Sequence, residues 1–292
     1  MPRTYRREQP GSSLHDPIAM SACRSMWHLS IVVPSFNGAD WLGNSLQELD
    51  AFVHARTKPT ELILVDDCSG PLAARMLQEF ADPRPWMTLL RNERNRGKGY
   101  SVARGMLAAR GRYRVFTDAD LAYPVSQIER VLRLLEHGAE VALVNRVHDE
   151  SRYTMSPSYF HYLYSRHLMS RALNAAVRTL VLPGIHDTQA GLKGFAAHAA
   201  EALFSRVTVP GFGFDIELLV LAKEHGYRLV ESPVDFRYDD EPTTVRFARD
   251  VSAMLRDLVR IARNRRRGLY VPRVHARSQE QVATVTSLAN AH

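Results

Sequence analysis

Tyr113-Arg114-Val115-Phe116-Thr117-Asp118-Ala119-Asp120 is the stretch on which the reading of this chain turns. An apolar run rich in aromatic and β-branched residues ends abruptly in two carboxylates one residue apart. That form predicts a buried strand over residues 113–117 which delivers acids to a loop at its carboxyl end. The form recurs upstream. Leu29-Ser30-Ile31-Val32-Val33 predicts a strand that stops at Pro34 and is followed by Ser35-Phe36-Asn37. Glu61 to Val65 predicts another, closed by Asp66-Asp67-Cys68-Ser69. Trp41, Leu42, Leu46, Leu49 and Phe52 recur at helical spacing, predicting a helix over 40–53. Helices over 71–80, 99–109 and 125–136 and strands over 87–90 and 140–144 complete the alternation. Strands alternating with helices predict the α/β class, with a mostly parallel sheet covered by helices on both faces. Ligands of such sheets bind outside the carboxyl ends of the strands, where the polar segments of this chain gather.

After residue 150 the pattern changes. Residues 159–182 predict a long amphipathic helix, 187–195 a loop or short strand, 214–225 a helix and 229–236 a strand. A last amphipathic helix over 247–263 places Phe247, Val251, Met254, Leu255, Leu258, Ile261 and Ala262 on one face. The expected organisation is a flexible lead over 1–27, one domain over 28–265 and a basic, disordered tail over 266–292. With 45% apolar and 24% charged residues, the composition is that of a soluble globular protein. Cys23 and Cys68 belong to no Cys-x-x-Cys pair and read as reduced thiols of a cytoplasmic protein. No apolar run approaches the ~18 residues of a membrane span, and the first residues lack an apolar signal core. The formal charge of +7 suits phosphorylated substrates, anionic lipid or nucleic acid. Nucleic acid is disfavoured because no aromatic-interleaved RNA motif or helix-turn-helix signal accompanies the charge.

Asp118 and Asp120 can reach one ion from an extended turn, and hard oxygen ligands suit Mg²⁺ or Mn²⁺. An isolated Asp-x-Asp is more often a helix cap beside an unrelated acid. The position at a strand end beside Asp66 and Asp67 favours the metal. Asp66 and Asp67 could bind a base or ribose, or simply shape a turn. Asn95-Arg96-Gly97-Lys98-Gly99 precedes a helix, so its glycines allow close backbone approach and Lys98 can meet a phosphate. It is neither Gly-x-Gly-x-x-Gly nor a Walker A loop, which disfavours a dehydrogenase or a P-loop ATPase.

Taken in order, Leu29 to Asn37, Asp66-Asp67, Asn95 to Gly99 with Arg104-Gly105, and Asp118-Ala119-Asp120 resemble family 2 glycosyltransferases of the Rossmann-like GT-A fold. Ser170-Arg171, Asn174 and Arg178, then Asp187 to Phe195, Phe214-Asp215-Ile216-Glu217-Leu218, Glu231-Ser232-Pro233-Val234 and Thr244-Val245-Arg246 narrow the likeness. Over about residues 28–265 the chain resembles dolichyl- and polyprenyl-phosphate hexosyltransferases of the glucosyl type. The resemblance implies inverting transfer of a hexose from a nucleotide diphosphate, UDP-glucose being favoured, to a lipid phosphate. Pro34, Phe36, Asn37, Asp66, Asp67, Lys98, Asp118 and Ala119 would hold the donor. Asp118 and Asp120 would hold Mg²⁺ or Mn²⁺. Arg146, Arg171, Gln189, Lys193 and Arg246 would face the acceptor, and Asp120, Asp215 and Lys193 would carry the chemistry. The chain departs from the family pattern at Phe36, Gly38 and Cys68, where Tyr, Glu and Gly are common, and Ala122 matches the glucosyl type.

A lipid phosphate is already anionic, so it needs cations more than a general base. Two alternatives stay open. A hydroxyl acceptor would need a base, for which Asp215 is the natural candidate and Glu217 a weaker one. A degenerate, non-catalytic sugar-nucleotide binder would need neither. The lipid acceptor further implies peripheral contact at the inner face of the membrane. The helices over 159–182 and 247–263 could make it, with Arg256, Arg260, Arg263, Arg265, Arg266 and Arg267 adding charge.

Overall fold

The computed structural model describes residues 26–155, 177, 181–238 and 247–271. The helix expected over 159–182 lies almost wholly outside them, as do Arg171, Arg246, Cys23 and most of both terminal segments. The first half builds β1 (Leu29–Ser35), α1 (Ala39–His54), β2 (Thr60–Asp66), α2 (Pro71–Ala81), β3 (Met87–Arg91), α3 (Lys98–Ala108), β4 (Tyr113–Phe116), α4 (Val125–Glu136) and β5 (Val141–Asn145). Then come β6 (Arg152–Met155), β7 (Lys193–Ala196), α5 (Ala197–Phe204), α6 (Phe214–Glu224), β8 (Leu229–Pro233), β9 (Asp235–Tyr238) and α7 (Phe247–Arg266).

Seven strands form one sheet in the order β3-β2-β1-β4-β7-β5-β8. All pairings are parallel except those of β7, which runs antiparallel to β4 and β5. Successive side chains of a strand point to opposite faces, and the core divides accordingly. Val32, Ile63, Val65, Phe116 and Leu143 meet α3, α5 and α6 on one side. Ile31, Val33, Leu62, Leu64, Val115 and Val144 meet α1, α2 and α4 on the other. A fully buried Leu or Ile stabilises by about 1.5–3 kcal/mol, so a two-sided core of this size needs no covalent staple. Cys68 is a free thiol.

Three details differ from the sequence expectation. β1 continues through Pro34 to Ser35, because its pairing with β4 ends at Val32 while that with β2 continues. Beyond β4 a proline deprives no partner on that side of an N–H. The strand expected over 229–236 is two strands. Pro233 has no N–H, and that of Val234 donates to Ser151 Oγ at 2.9 Å, so the chain leaves the large sheet. β9 then pairs with β6 in a separate parallel ribbon. The Ala-rich α5 is an addition, its Ala199, Ala200, Leu203 and Phe204 packing into the core.

The topology fixes where a ligand can sit. From β1 the chain steps outward to β2 and β3, then returns to the other side of β1 as β4. The crevice between β1 and β4 is a switch point, where the loops at the carboxyl ends diverge. Because β7 is antiparallel, its first residue Lys193 pairs with Phe116 at the end of β4 and Leu143 near the end of β5. The segment before β7 is thereby delivered to the same edge.

Candidate active site

Outside glycine, positive φ occurs among the described residues at Asn37 (57°), Cys68 (64°) and Leu121 (48°). These follow β1, β2 and β4 at the carboxyl edge. Left-handed backbone in an L-residue costs on the order of 1 kcal/mol and clusters where a site is built. Asn37 clamps two loops together: its N–H donates to Ser69 Oγ at 2.8 Å and its Oδ1 accepts from Gly70 N–H at 2.9 Å. Pro34 is half-buried, and Phe36 is 40% exposed.

Asp66 and Asp67 end β2 as buried carboxylates. Asp66 accepts from Ser69 N–H at 2.8 Å and forms a short ion pair with Arg91 at the end of β3. Asp67 accepts from Arg96 N–H and Gly97 N–H, both at 2.8 Å, and from Asn92 Nδ2 at 2.6 Å. Asp67 therefore shapes the loop that opens α3. Gly97, at φ 93°, passes so close to Pro210 that a Cβ would lie 2.6 Å from its carbonyl oxygen. This loop sets Lys98 at the first position of α3, with its Nζ 2.5 Å from Asp118 Oδ1.

Five charged side chains follow one another across the edge: Asp120, Asp118, Lys98, Asp215 and Lys193. Asp118 is pressed against the segment before β7, where a Cβ on Gly191 would lie 2.0 Å from Asp118 Oδ2. Asp120 is exposed, and its Oδ1 accepts from Ala122 N–H at 3.0 Å. Desolvation by the surrounding protein, and then the Asp118 carboxylate, push Asp120 up to about 6. Burial opposes the charge of Lys98, but Asp118, Asp215 and Asp120 outweigh it and raise its pKa. Lys193 is fully buried and donates to Ala190 O at 2.5 Å and Asp215 Oδ1 at 2.6 Å. Burial raises the Asp215 pKa, against the pull of Lys193 and Lys98. Ala119, buried between the two acids, fills the core beneath them.

Arg146 and Gln189 stand at the far end of the edge. Asp187 binds the Arg146 guanidinium through Nε at 2.7 Å and Nη2 at 3.0 Å, and accepts from its N–H at 3.0 Å. Burial works against the Asp187 charge, but Arg146 holds its pKa low. Gln189 N–H also donates to Asp187, at 3.2 Å, and its amide reaches Met254 Sδ of α7 at 3.9 Å.

The edge thus assembles the residues expected on the donor side with Asp120, Asp215, Lys193, Arg146 and Gln189. Glu217 is not among them. It is fully buried and accepts from Thr208 N–H, Thr208 Oγ1, Val209 N–H and the Tyr270 hydroxyl, which makes it a structural anchor. Sequence reasoning missed Asn92 and Arg91, and gave Asp187 and Gly191 no role of their own. Asn92 and Arg91 had a usable signal, since they close the third strand as Asp66 and Asp118 close theirs. Asp187 and Gly191 stood within the quoted stretch Asp187 to Phe195, but the contact of Gly191 with Asp118 joins segments far apart in the sequence and has no local signal. Among the described residues no group of three or more His, Cys, Asp or Glu is placed to hold a metal unaided, and no helix is long and apolar enough to cross a membrane.

The sequence profile of the family described as Glycosyl transferase family 2 matches residues 30–199. A dolichyl-phosphate beta-glucosyltransferase from Dictyostelium discoideum is 28% identical over 241 residues, 80% of this chain and 73% of that protein. A protein of the same name from Homo sapiens is 30% identical over 256 residues, covering 81% of this chain and 77% of its own length. Among solved structures, glucosyl-3-phosphoglycerate synthase from Mycobacterium tuberculosis, in complex with Mn²⁺, uridine diphosphate and glucosyl-3-phosphoglycerate, matches with a TM-score of 0.58. The match is 18% identical and covers 93% of this chain and 88% of that one, a likeness of fold.

Proposed function

The chain belongs to glycosyl transferase family 2, and from that premise we propose that it transfers glucose from UDP-glucose, with inversion, to the phosphate of a polyprenyl or dolichyl lipid. The site lies at the cytoplasmic surface of a membrane. The relatives named for dolichyl-phosphate glucosyl transfer support the acceptor class and the sugar. The structural neighbour that holds UDP and Mn²⁺ supports the nucleotide and a divalent ion.

The observation that carries the reading is the state of Asp215. A hydroxyl acceptor needs a carboxylate base within reach. Asp215 is 4% exposed and its Oδ1 is bonded to Lys193. A phosphate oxygen needs no base, only cations that hold it near the donor. Arg146, oriented by its three bonds to Asp187, is read as one of these, with Gln189 beside it. Lys193 supports the acceptor side from beneath through Asp215. Arg171 and Arg246 are assigned to the acceptor on the sequence resemblance alone. On the donor side, Phe36 is read as a base platform beside Pro34, and the buried Asp66 with Arg91 as the nucleoside contact. Asn37 and Asp67 shape the loops around it.

Mg²⁺ commonly takes one or two carboxylates and completes its shell with water and substrate phosphates. Asp118 and Asp120 fit that donor set. When bound there, the ion supplies cancellation of the charge that develops on the departing diphosphate. Asp118 and Asp120 would hold it, and Lys98 would meet a phosphate oxygen.

The test is transfer from radiolabelled UDP-glucose and GDP-mannose, run in parallel with Mg²⁺ or Mn²⁺, with and without polyprenyl phosphate in detergent. Label from UDP-glucose should enter the organic phase only when metal and lipid phosphate are both present. Labelled water-soluble glycan with no lipid product would move the acceptor to a hydroxyl. Absence of both transfer and donor hydrolysis would leave a binding protein.

A further inference from the structure

Lys98 stands on an oxygen that a metal ion needs. Of the two oxygens of Asp118, Oδ2 is packed against the Gly191 backbone, where a Cβ would come within 2.0 Å of it. Oδ1 lies farther from that position, at 3.2 Å, and the Lys98 ammonium is 2.5 Å from it. A divalent ion that engages Asp118 must therefore contend with Lys98 for the same atom. The pair is partly shielded, with 19% of the Lys98 side chain and 27% of the Asp118 side chain exposed.

An ordinary surface ion pair does not account for this placement. Lys98 is the first residue of α3, and a cation at a helix N-terminus opposes the helix dipole. Asp67, holding the Arg96 and Gly97 N–H groups, fixes the residue there despite that cost. The ammonium is also attracted by the charge of Asp215, whose own Oδ1 is already bonded to Lys193. Three carboxylates, Asp118, Asp120 and Asp215, are thus shared by two ammoniums. Adding a dication alone leaves Lys98 facing a like charge. Adding a diphosphate with the dication gives the ammonium a new anionic partner.

We propose that Lys98 is the resident counter-ion of Asp118, that it competes with the divalent ion for Oδ1, and that a nucleoside diphosphate relieves the competition by drawing the ammonium onto its phosphates. Metal and nucleotide then load cooperatively, and the free protein binds the ion weakly. This deepens the proposed function and rests on it for the metal.

Mn²⁺ binding to the full chain, followed through the electron paramagnetic resonance of free Mn²⁺, tests the idea without any turnover. Wild type, Lys98→Met, Lys98→Ala and Lys98→Arg are titrated with and without UDP. Without UDP, Lys98→Met and Lys98→Ala should bind Mn²⁺ about tenfold more tightly than wild type, the middle of the usual range for coupled sites. Lys98→Arg, which keeps the charge, should not. UDP should tighten Mn²⁺ binding strongly in wild type and much less in the two neutral variants. A lysine that merely supports the fold would give the opposite sign, since its loss would weaken the site. The proposal is overturned if the neutral variants bind Mn²⁺ no more tightly than wild type, or if Lys98→Arg gains as much as they do. It also fails if the effect of UDP is the same in all four proteins. Where wild type binds Mn²⁺ and UDP but the variants do not differ from it, only this inference fails. Where no protein binds Mn²⁺ under either condition, the metal reading fails with it.

Discussion

Asp120 carries a charge that the fold does not favour. Desolvation and the neighbouring Asp118 push its carboxyl from 3.8 to about 6. The folded chain therefore holds that proton more tightly than the unfolded chain does. For an acid shifted upward, the linked contribution destabilises the fold. It is absent below the unfolded value near 4, grows as pH rises, and is complete above about 6. Asp120→Asn is accordingly expected to raise the melting temperature in EDTA at pH 7 and to have almost no effect at pH 4. Thermal unfolding at both values checks this, and equal effects at the two would remove the charge as the cause. Exposure of Asp120 to solvent keeps the gain modest. A metal ion favours the ionised form, so Mn²⁺ affinity should fall as pH drops through 6, and Asp120→Asn should bind the ion far more weakly than wild type.

Asp67 behaves in the contrary way, because its carboxylate is an internal brace. Removing it in Asp67→Ala leaves Arg96 N–H and Gly97 N–H without their acceptor and takes from Asn92 Nδ2 one of its two, the other being Ser101 Oγ at 3.0 Å. At about 1–3 kcal/mol for each buried donor left unsatisfied, a loss of roughly 3 kcal/mol is expected once water reaches the more exposed backbone groups. Denaturant unfolding and UDP titration should show stability and donor affinity falling together. Affinity lost at unchanged stability would instead make Asp67 a direct donor contact. The sequence could not separate these roles. An Asp-Asp pair at a strand end reads equally as a ligand or a turn, and the distinction rests on Asn92 and Gly97, about thirty residues away, folding back onto the carboxylate.

At the scale of elements, the parallel half was legible and the insertion was not. β1, β2 and β4 declare themselves because strands buried on both faces read as near-continuous apolar runs ending in polar loops, with Ser30, Glu61 and Arg114 as the polar exceptions. β7 offers only Lys193-Gly194-Phe195-Ala196, too short and too mixed to show a period, and no local signal says that it runs antiparallel. Yet its direction decides the site. Reversing the strand brings Asp187 to Gly191 to the carboxyl edge and lays Gly191 against Asp118. Gly191→Ala should therefore act at a distance in sequence. Its Cβ would meet Asp118 Oδ2 at 2.0 Å, and the carboxylate must move. Misplacing a reacting group by about an ångström costs on the order of a hundredfold in rate, so transfer should fall by about that factor while circular dichroism stays that of wild type. Full activity in Gly191→Ala would mean that Asp118 does not need its present position.

At the scale of the whole molecule, the excess of positive charge has a location. α7 buries Leu258 and Ile261 in the core. Leu255, expected on that face, is 48% exposed, and Val259 one turn on is 69% exposed. Leu269 and Val271 extend the apolar surface beyond the helix end. Arg256, Arg260, Arg263, Arg266 and Arg267 are exposed around it. Arg265, counted with them in the sequence, is instead spent on Glu224 at 2.7 Å and the Val181 carbonyl at 2.7 Å. An apolar strip within a basic border matches the chemistry of an anionic bilayer surface, where each basic residue contributes about 1 kcal/mol. Replacing Arg260, Arg263 and Arg267 by Gln together should then weaken binding to vesicles containing phosphatidylserine by about 3 kcal/mol, a loss of roughly a hundredfold or more. Binding of UDP in solution should not change, since none of the three touches the carboxyl edge of the sheet in any described contact. Co-sedimentation at low and high salt reads both terms: the wild type should release with salt, and a triple variant with Leu255→Ser and Val259→Ser added should not bind at all. Vesicle binding that survives the loss of these arginines would place the membrane contact on another surface and leave α7 as a core helix with a solvated face.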